Sequence, residues 1–169
     1  LARQQRAQAQ RIGLELSRSV ATAIEAGLGS SQAVVEARAT SPTLDRDDLI
    51  AFRERARRVL ELQRDWAAIT LADPSGTPVM DTRAEPGASL PPIAEPDSFG
   101  RVVSSRRPLV GNLARGAHGT WLFAVRAPVL RGGELRYVAT ALVRPEEIRG
   151  VLDRQRVPAD WVISIVDAN

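Results

Sequence analysis

The hydrophobic period of this chain changes at Trp66, and the change limits the folds open to it. Before Trp66, apolar residues recur at helical spacing. Ile12, Leu16, Val20, Ile24 and Leu28 fall every four residues, and Leu14, Ala21, Leu28 and Val35 every seven. No proline interrupts residues 1–40. Such spacing gathers apolar side chains on one stripe and predicts a long amphipathic helix over residues 1–40. At 1.5 Å per residue it is about 40 Å long or more. Gly27, Gly29 and Ser30-Ser31 are weak helix formers and predict a kink or break in its middle. Ser41-Pro42 then punctuates the chain. A second helix follows, with Asp45 expected as its cap and Asp47 and Asp48 close to its positive end. Leu49, Phe52, Ala56, Val59 and Leu60 line one face, while Arg53, Arg55, Arg57 and Arg58 fall mostly on the other, as on a solvated helix.

From Trp66 onward the pattern is that of strands. Residues 67–72 and 78–82 are apolar runs around Asp73-Pro74-Ser75-Gly76, which has proline and glycine where tight turns want them. A Pro- and Gly-rich loop covers 84–98, followed by a short helix to Ser105 and a strand over 108–113. The clearest strand is 119–130. It places Trp121, Phe123, Val125 and Ala127 on one face and Leu122, Ala124 and Arg126 on the other. Arg131-Gly132-Gly133-Glu134 turns the chain into a strand over 135–143. Pro145 opens a short helix through about Gln155, and a last strand is expected over 160–166. Two helices followed by hairpin-linked strands predict the α+β class: a long N-terminal helix on a roughly five-stranded antiparallel sheet, with short connecting helices and the helices on one face.

Several functions are excluded by what this pattern lacks. All 23 basic residues are arginine, but the net charge is only +3 and the charges are dispersed. A nucleic-acid domain concentrates its basic residues on one face. There is no cysteine, and His118 is the only histidine, so thiolate chemistry and Cys/His metal sites are excluded. Asp47/Asp48 and Glu146/Glu147 sit at helix starts, where they favour the dipole. Gly132-Gly133 lacks the strand–helix context of a phosphate loop. No catalytic constellation, metal site or cofactor motif is present, and the reading is of a binding domain, not an enzyme. No run of about 18 apolar residues spans a membrane. The chain begins at Leu1 within a helical pattern and ends at Asn169 just past a strand-like run. The expectation is a piece of a longer protein, with any membrane segments in its flanks.

Five segments in order carry a family resemblance. They are the long leading helix; Ser41-Pro42-Thr43-Leu44 with Leu49-Ile50-Ala51-Phe52; Trp66 to Asp73 with Gly76, Asp81-Thr82-Arg83 and Gly87; Arg126-Ala127-Pro128-Val129 with Gly133, Tyr137 and Val138; and Val157 to Trp161 running into Ile165-Val166-Asp167. Together they resemble the Cache family of extracellular PAS-like sensor domains, found in bacterial histidine kinases, chemoreceptors and diguanylate cyclases. The resemblance implies a juxtamembrane and dimerisation helix over 1–44 and a sensor lobe over 45–169. It implies a periplasmic domain of an inner-membrane receptor, a histidine kinase first among the outputs. A small polar or anionic ligand is expected between the sheet and the loops of 83–118, with homodimerisation through the leading helix. The Tyr, Arg and Trp constellation of amino-acid-binding members does not map onto residues 101–121, so the sequence gives no support to an amino-acid ligand.

Arg126 is the leading candidate for ligand contact, because it interrupts the most hydrophobic strand and a guanidinium grips a carboxylate bidentately. Its other reading is an outward arginine on a solvated sheet face. Arg83 and Arg107 are candidates on the covering loops. Trp121 and Tyr137 are read as core or pocket wall, alongside Trp66, Phe123 and Trp161, and His118 as a loop residue near the pocket mouth. The alternative function is a ligand-free interaction or dimerisation module. A cytoplasmic anion- or nucleic-acid-binding domain is the third reading.

Overall fold

The structure is a computed structural model that describes residues 2–85 and 87–154. Helix α1 runs unbroken over Ala2–Ala39. The expected break at Gly27 to Ser31 does not occur. Gly27 faces the helix Glu146–Asp153, where a Cβ would stand in ordinary contact, 3.4 Å from Val151 Cγ2, and packing there and on the sheet outweighs the low helix propensity of glycine. After α1 come a one-turn helix α2 (Pro42–Asp45) and α3 (Leu49–Leu62). Asp45 does not cap α3. Ser41-Pro42 starts its own turn, Asp47 takes a left-handed conformation (φ 51°), and the cap falls to Asp48, whose side chain accepts the Ala51 amide at 2.9 Å.

The remaining elements are β1 (Trp66–Ala72), β2 (Pro78–Asp81), α4 (Pro96–Ser105), β3 (Leu109–Arg115), β4 (Trp121–Arg131), β5 (Glu134–Val143) and α5 (Glu146–Asp153). Among the described residues these five strands form one antiparallel sheet in the order β2-β1-β5-β4-β3. Gly132 (φ 58°) and Gly133 (φ 84°) make the tight β4–β5 turn, a backbone that favours glycine at both positions. The strand expected over 160–166, with Trp161, lies outside the described residues.

The sheet buries both faces. On one, Val35 and Ala39 of α1, Leu44, and Phe52 and Ala56 of α3 pack on Ile69, Leu71, Val125, Ala127, Val129, Ala139 and Ala141. On the other, Phe99 and Val102 of α4 cover Ala72 and Val138. The helices therefore do not all lie on one face. The second face carries Ala68, Leu122, Ala124 and Leu142 as well, too apolar a surface to leave in water.

A polar joint ties α1 to the end of the sheet. Ser31 Oγ donates to Glu147 Oε1 at 2.7 Å and accepts Trp66 Nε1 at 3.3 Å. Glu147 Oε2 is buried without a partner among the described residues. Burial pushes the Glu147 carboxyl up, the Ser31 hydroxyl opposes this, and Asp65 adds to the rise. A raised folded-state pKa means that the folded chain holds this proton more tightly than the unfolded one. The stability it contributes is fully present below the unfolded value and is lost as pH rises through the folded one. Glu147→Gln should therefore flatten the pH dependence just above the usual carboxylate range. Urea midpoints measured from pH 4 to pH 7 should fall more for the parent than for the variant; parallel curves would refute the assignment.

Candidate functional site

Register places four polar side chains in a row on the α4 face of the sheet. Arg126 of β4 stands opposite Thr140 of β5, Thr140 opposite Thr70 of β1, and Thr70 opposite Asp81 of β2. Directly opposed residues share a face, so the row runs across four strands. It lies in an otherwise apolar surface and is roofed by Pro91, Pro92, Ile93 and Ala94 of the β2–α4 loop. A cavity of about 30 Å³ remains between roof and row. That is room for a water or two, far below the roughly 150 Å³ of a cavity that holds benzene.

Arg126 is 1% exposed. Its Nε donates to Ser98 Oγ at 2.8 Å, its Nη1 to Thr140 Oγ1 at 2.9 Å, and its Nη2 to the carbonyls of Ala94 and of Glu95, the latter at 3.0 Å. The Phe99 ring centroid lies 5.6 Å from its Cζ, within cation–π reach. Burial lowers its pKa to about 10, against the pull of Glu95, so it stays charged near neutrality. Glu95 caps α4 by accepting the Ser98 amide at 3.1 Å, while its Oε2 is buried without a partner among the described residues. Arg126 is thus neither an outward arginine nor an open carboxylate receptor. It clamps the roof and the start of α4 onto the sheet.

Arg83 lies at the far end of the row. It grips Asp81 twice, Nε to Oδ1 at 3.0 Å and Nη2 to Oδ2 at 2.6 Å, and Asp81 is 3% exposed. Two arginines of α3 hold this stretch from behind: Arg57 Nε donates to the Thr82 carbonyl at 3.2 Å, and Arg53 donates to the Ala84 carbonyl. The expected solvated face of α3 is therefore only partly solvated.

Of the candidates read from the sequence, Arg126 and Arg83 line the same cavity. His118 is exposed on the β3–β4 turn and lines a neighbouring hollow with Arg83. Arg107 is exposed beyond the end of α4, away from the cavity lining. Tyr137 packs on the opposite face, against the α1 and α3 core, and donates to Asp47 Oδ1 at 2.9 Å. Burial and Asp47 together push its phenol up. Trp121 is not core. It is 48% exposed at the start of β4, with Arg115 stacked 5.3 Å from its ring. The sequence reading singled out neither Thr70 nor Thr140 as a site residue. Their only sequence signal is a hydroxyl at one alternate position of each apolar strand.

No protein-family model matches the sequence, and no curated protein matches it. Solved structures do match in fold. One is the ligand-binding domain of the Pseudomonas aeruginosa PAO1 amino-acid chemoreceptor PctC in complex with GABA. It superposes with a TM-score of 0.63 at 22% identity, over 86% of this chain and 68% of that one. A second is the sensory domain of the Campylobacter jejuni chemoreceptor Tlp3 with isoleucine bound, with a TM-score of 0.61 at 9% identity over 83% of this chain and 61% of that one. A third is the ligand-binding domain of the P. aeruginosa PAO1 chemoreceptor PctB with L-Gln, with a TM-score of 0.58 at 16% identity over 82% of this chain and 56% of that one. The chain thus spans less than two thirds of the second and third domains. The fold expected from the resemblance, a long helix on a PAS-like antiparallel sheet, is the fold these sensor domains share with it.

Proposed function

We propose that this chain is the extracytoplasmic ligand-sensing domain of a membrane receptor and takes a small polar or zwitterionic molecule between the polar row and its roof. The observation that carries this reading is the row itself. Arg126, Thr140, Thr70 and Asp81 cross a sheet face that is otherwise apolar, and a loop roofs them at the place where a small molecule meets both hydroxyls and a carboxylate. Asp81 and Arg83 are paired with each other, and a ligand that exchanges with that pair must carry one charge of each sign, which suits the amino-acid class carried by the three neighbours in fold. With about 30 Å³ free, a ligand enters only if residues 91–94 lift. Binding is thereby coupled to the roof, and through α4 and β5 to the α1 face of the sheet. Such coupling needs only a difference in ligand affinity between two states. Homodimerisation through Leu14, Ala21 and Leu28 of α1 belongs to the same proposal. Of the outputs the resemblance allows, the neighbours favour a chemoreceptor over a histidine kinase or a cyclase.

The small cavity also favours a second reading, a ligand-free interaction module. A thermal-shift screen of amino acids, GABA and dicarboxylates on the full chain separates the two. A ligand at a hundred times its Kd stabilises by about 2.7 kcal/mol, raising Tm by about 5–10 °C. Asp81→Asn and Thr140→Val should each remove most of that shift. If none of these compounds stabilises the parent, the interaction module is the better account.

A further inference from the structure

We propose that the hollow between the β3–β4 turn and the start of β1 is an oxyanion-binding site. It measures about 180 Å³ and is lined by Arg83, Arg144, His118, Thr120, Gly116 and their apolar neighbours, with no Asp or Glu among the described residues of its lining. A cavity of roughly 150 Å³ holds a benzene-sized molecule, so phosphate, sulfate or a carboxylate head fits. The charges are poorly matched from within. Asp81 neutralises Arg83. Arg144 has no ion-pair partner among the described residues; its Nη1 is held by the carbonyls of Arg64 at 3.1 Å and Trp66 at 3.2 Å. Among the described hydrogen bonds Nε and Nη2 of Arg144, Nη1 of Arg83, and the side chains of His118 and Thr120 donate to nothing. A guanidinium fixed by two carbonyls keeps a pre-set planar fork, the geometry that suits an oxyanion. The turn is fixed too. Gly116 N donates to the Thr120 carbonyl and Gly119 N to the Gly116 carbonyl, both at 2.9 Å, so little ordering remains to be done on binding.

The site does not depend on the roofed cavity holding a ligand. It shares Arg83 with that cavity, while Ala117 faces the inner space and Gly116 and His118 the outer one. An anion here would tie the β3–β4 turn to the β5–α5 junction, where Arg144 lies.

Calorimetric titration of the full chain with inorganic phosphate, sulfate and succinate, against sodium chloride at equal ionic strength, tests the proposal. Binding of at least one oxyanion beyond chloride is expected. Arg144→Gln should weaken it at least tenfold, and His118→Ala, at an exposed turn position that folding does not need, at least threefold. Phosphate binding without succinate binding points to an inorganic anion, and the reverse to the carboxylate of an organic one. The proposal is overturned if all three anions behave like chloride, or if the His118→Ala protein binds them as the parent does.

Discussion

Replacing Arg126 with methionine is expected to lower the free energy of unfolding by about 3–5 kcal/mol, the range for removing one side of a buried charged network. Methionine keeps the apolar stem, so most of the loss comes from hydrogen bonds and charge and a smaller part from the space the guanidinium leaves. Four acceptors lose a donor at once: Ser98 Oγ, Thr140 Oγ1 and the carbonyls of Ala94 and Glu95. Each bond to a charged group is worth about 1.5–3 kcal/mol, and a buried acceptor left unpaired adds its own cost. The Glu95 carboxylate also loses the cation beside it. Tm should fall by about 10 °C. Hydrogen exchange gives a readout that a general loss of packing would not: the Ser98 amide and those of the α4 turn after it should lose protection well before those of β1 and β5. A variant within 1 kcal/mol of the parent would show that Arg126 does not clamp the roof.

The second large effect is expected from one methyl group. Gly111→Ala places a Cβ 2.3 Å from Glu95 Oε2, 2.6 Å from Ser98 Oγ and 3.0 Å from Ser98 Cβ. Neither neighbour is free to swing aside. Glu95 caps α4, and Ser98 holds Arg126. Overpacking of this kind costs about 2 kcal/mol, and here the displacement reaches the roof of the cavity. A double-variant cycle with Glu95→Ala should show a coupling of about 1 kcal/mol or more, because removing the carboxylate relieves the worst contact. If the two effects merely add in urea denaturation, the close approach is not what makes glycine necessary.

Much of this architecture was legible because hydrophobic period is a direct consequence of which face is buried. The change at Trp66, the Gly-Gly turn at 132–133 and the proline before α5 mark the elements near their true places. The polar row was not legible, and the reason is register. With Arg131 opposite Glu134, a regular hairpin would put Arg126 opposite Ala139. An irregularity between Val129 and Leu130 shifts the pairing by one residue, so Arg126 meets Thr140. Nothing in Val129-Leu130 announces it, and a one-residue slip changes which residues face one another. Arg126 was recognisable as out of place in its strand, but its partners are not local: Ala94, Glu95 and Ser98 come from a loop and a helix start about 30 residues away in sequence. Trp121 obeyed the alternation but lies where the strand outruns its cover. Asp81 stood within the strand expected over 78–82, and only the β1–β2 register makes it the end of the row.

The unbroken α1 has a mechanical consequence. Its first deeply buried side chain is Val20, and none of the described side chains before it is buried. Residues 2–19 carry the helix about 27 Å beyond that first buried side chain, at 1.5 Å per residue. A tilt of about 5° at Val20 displaces Ala2 by about 2.4 Å over that length. A break at Gly27 or Gly29 would have absorbed the tilt in a hinge. No break interrupts α1 there, so an angular change of the sheet is carried along the helix as a larger linear one.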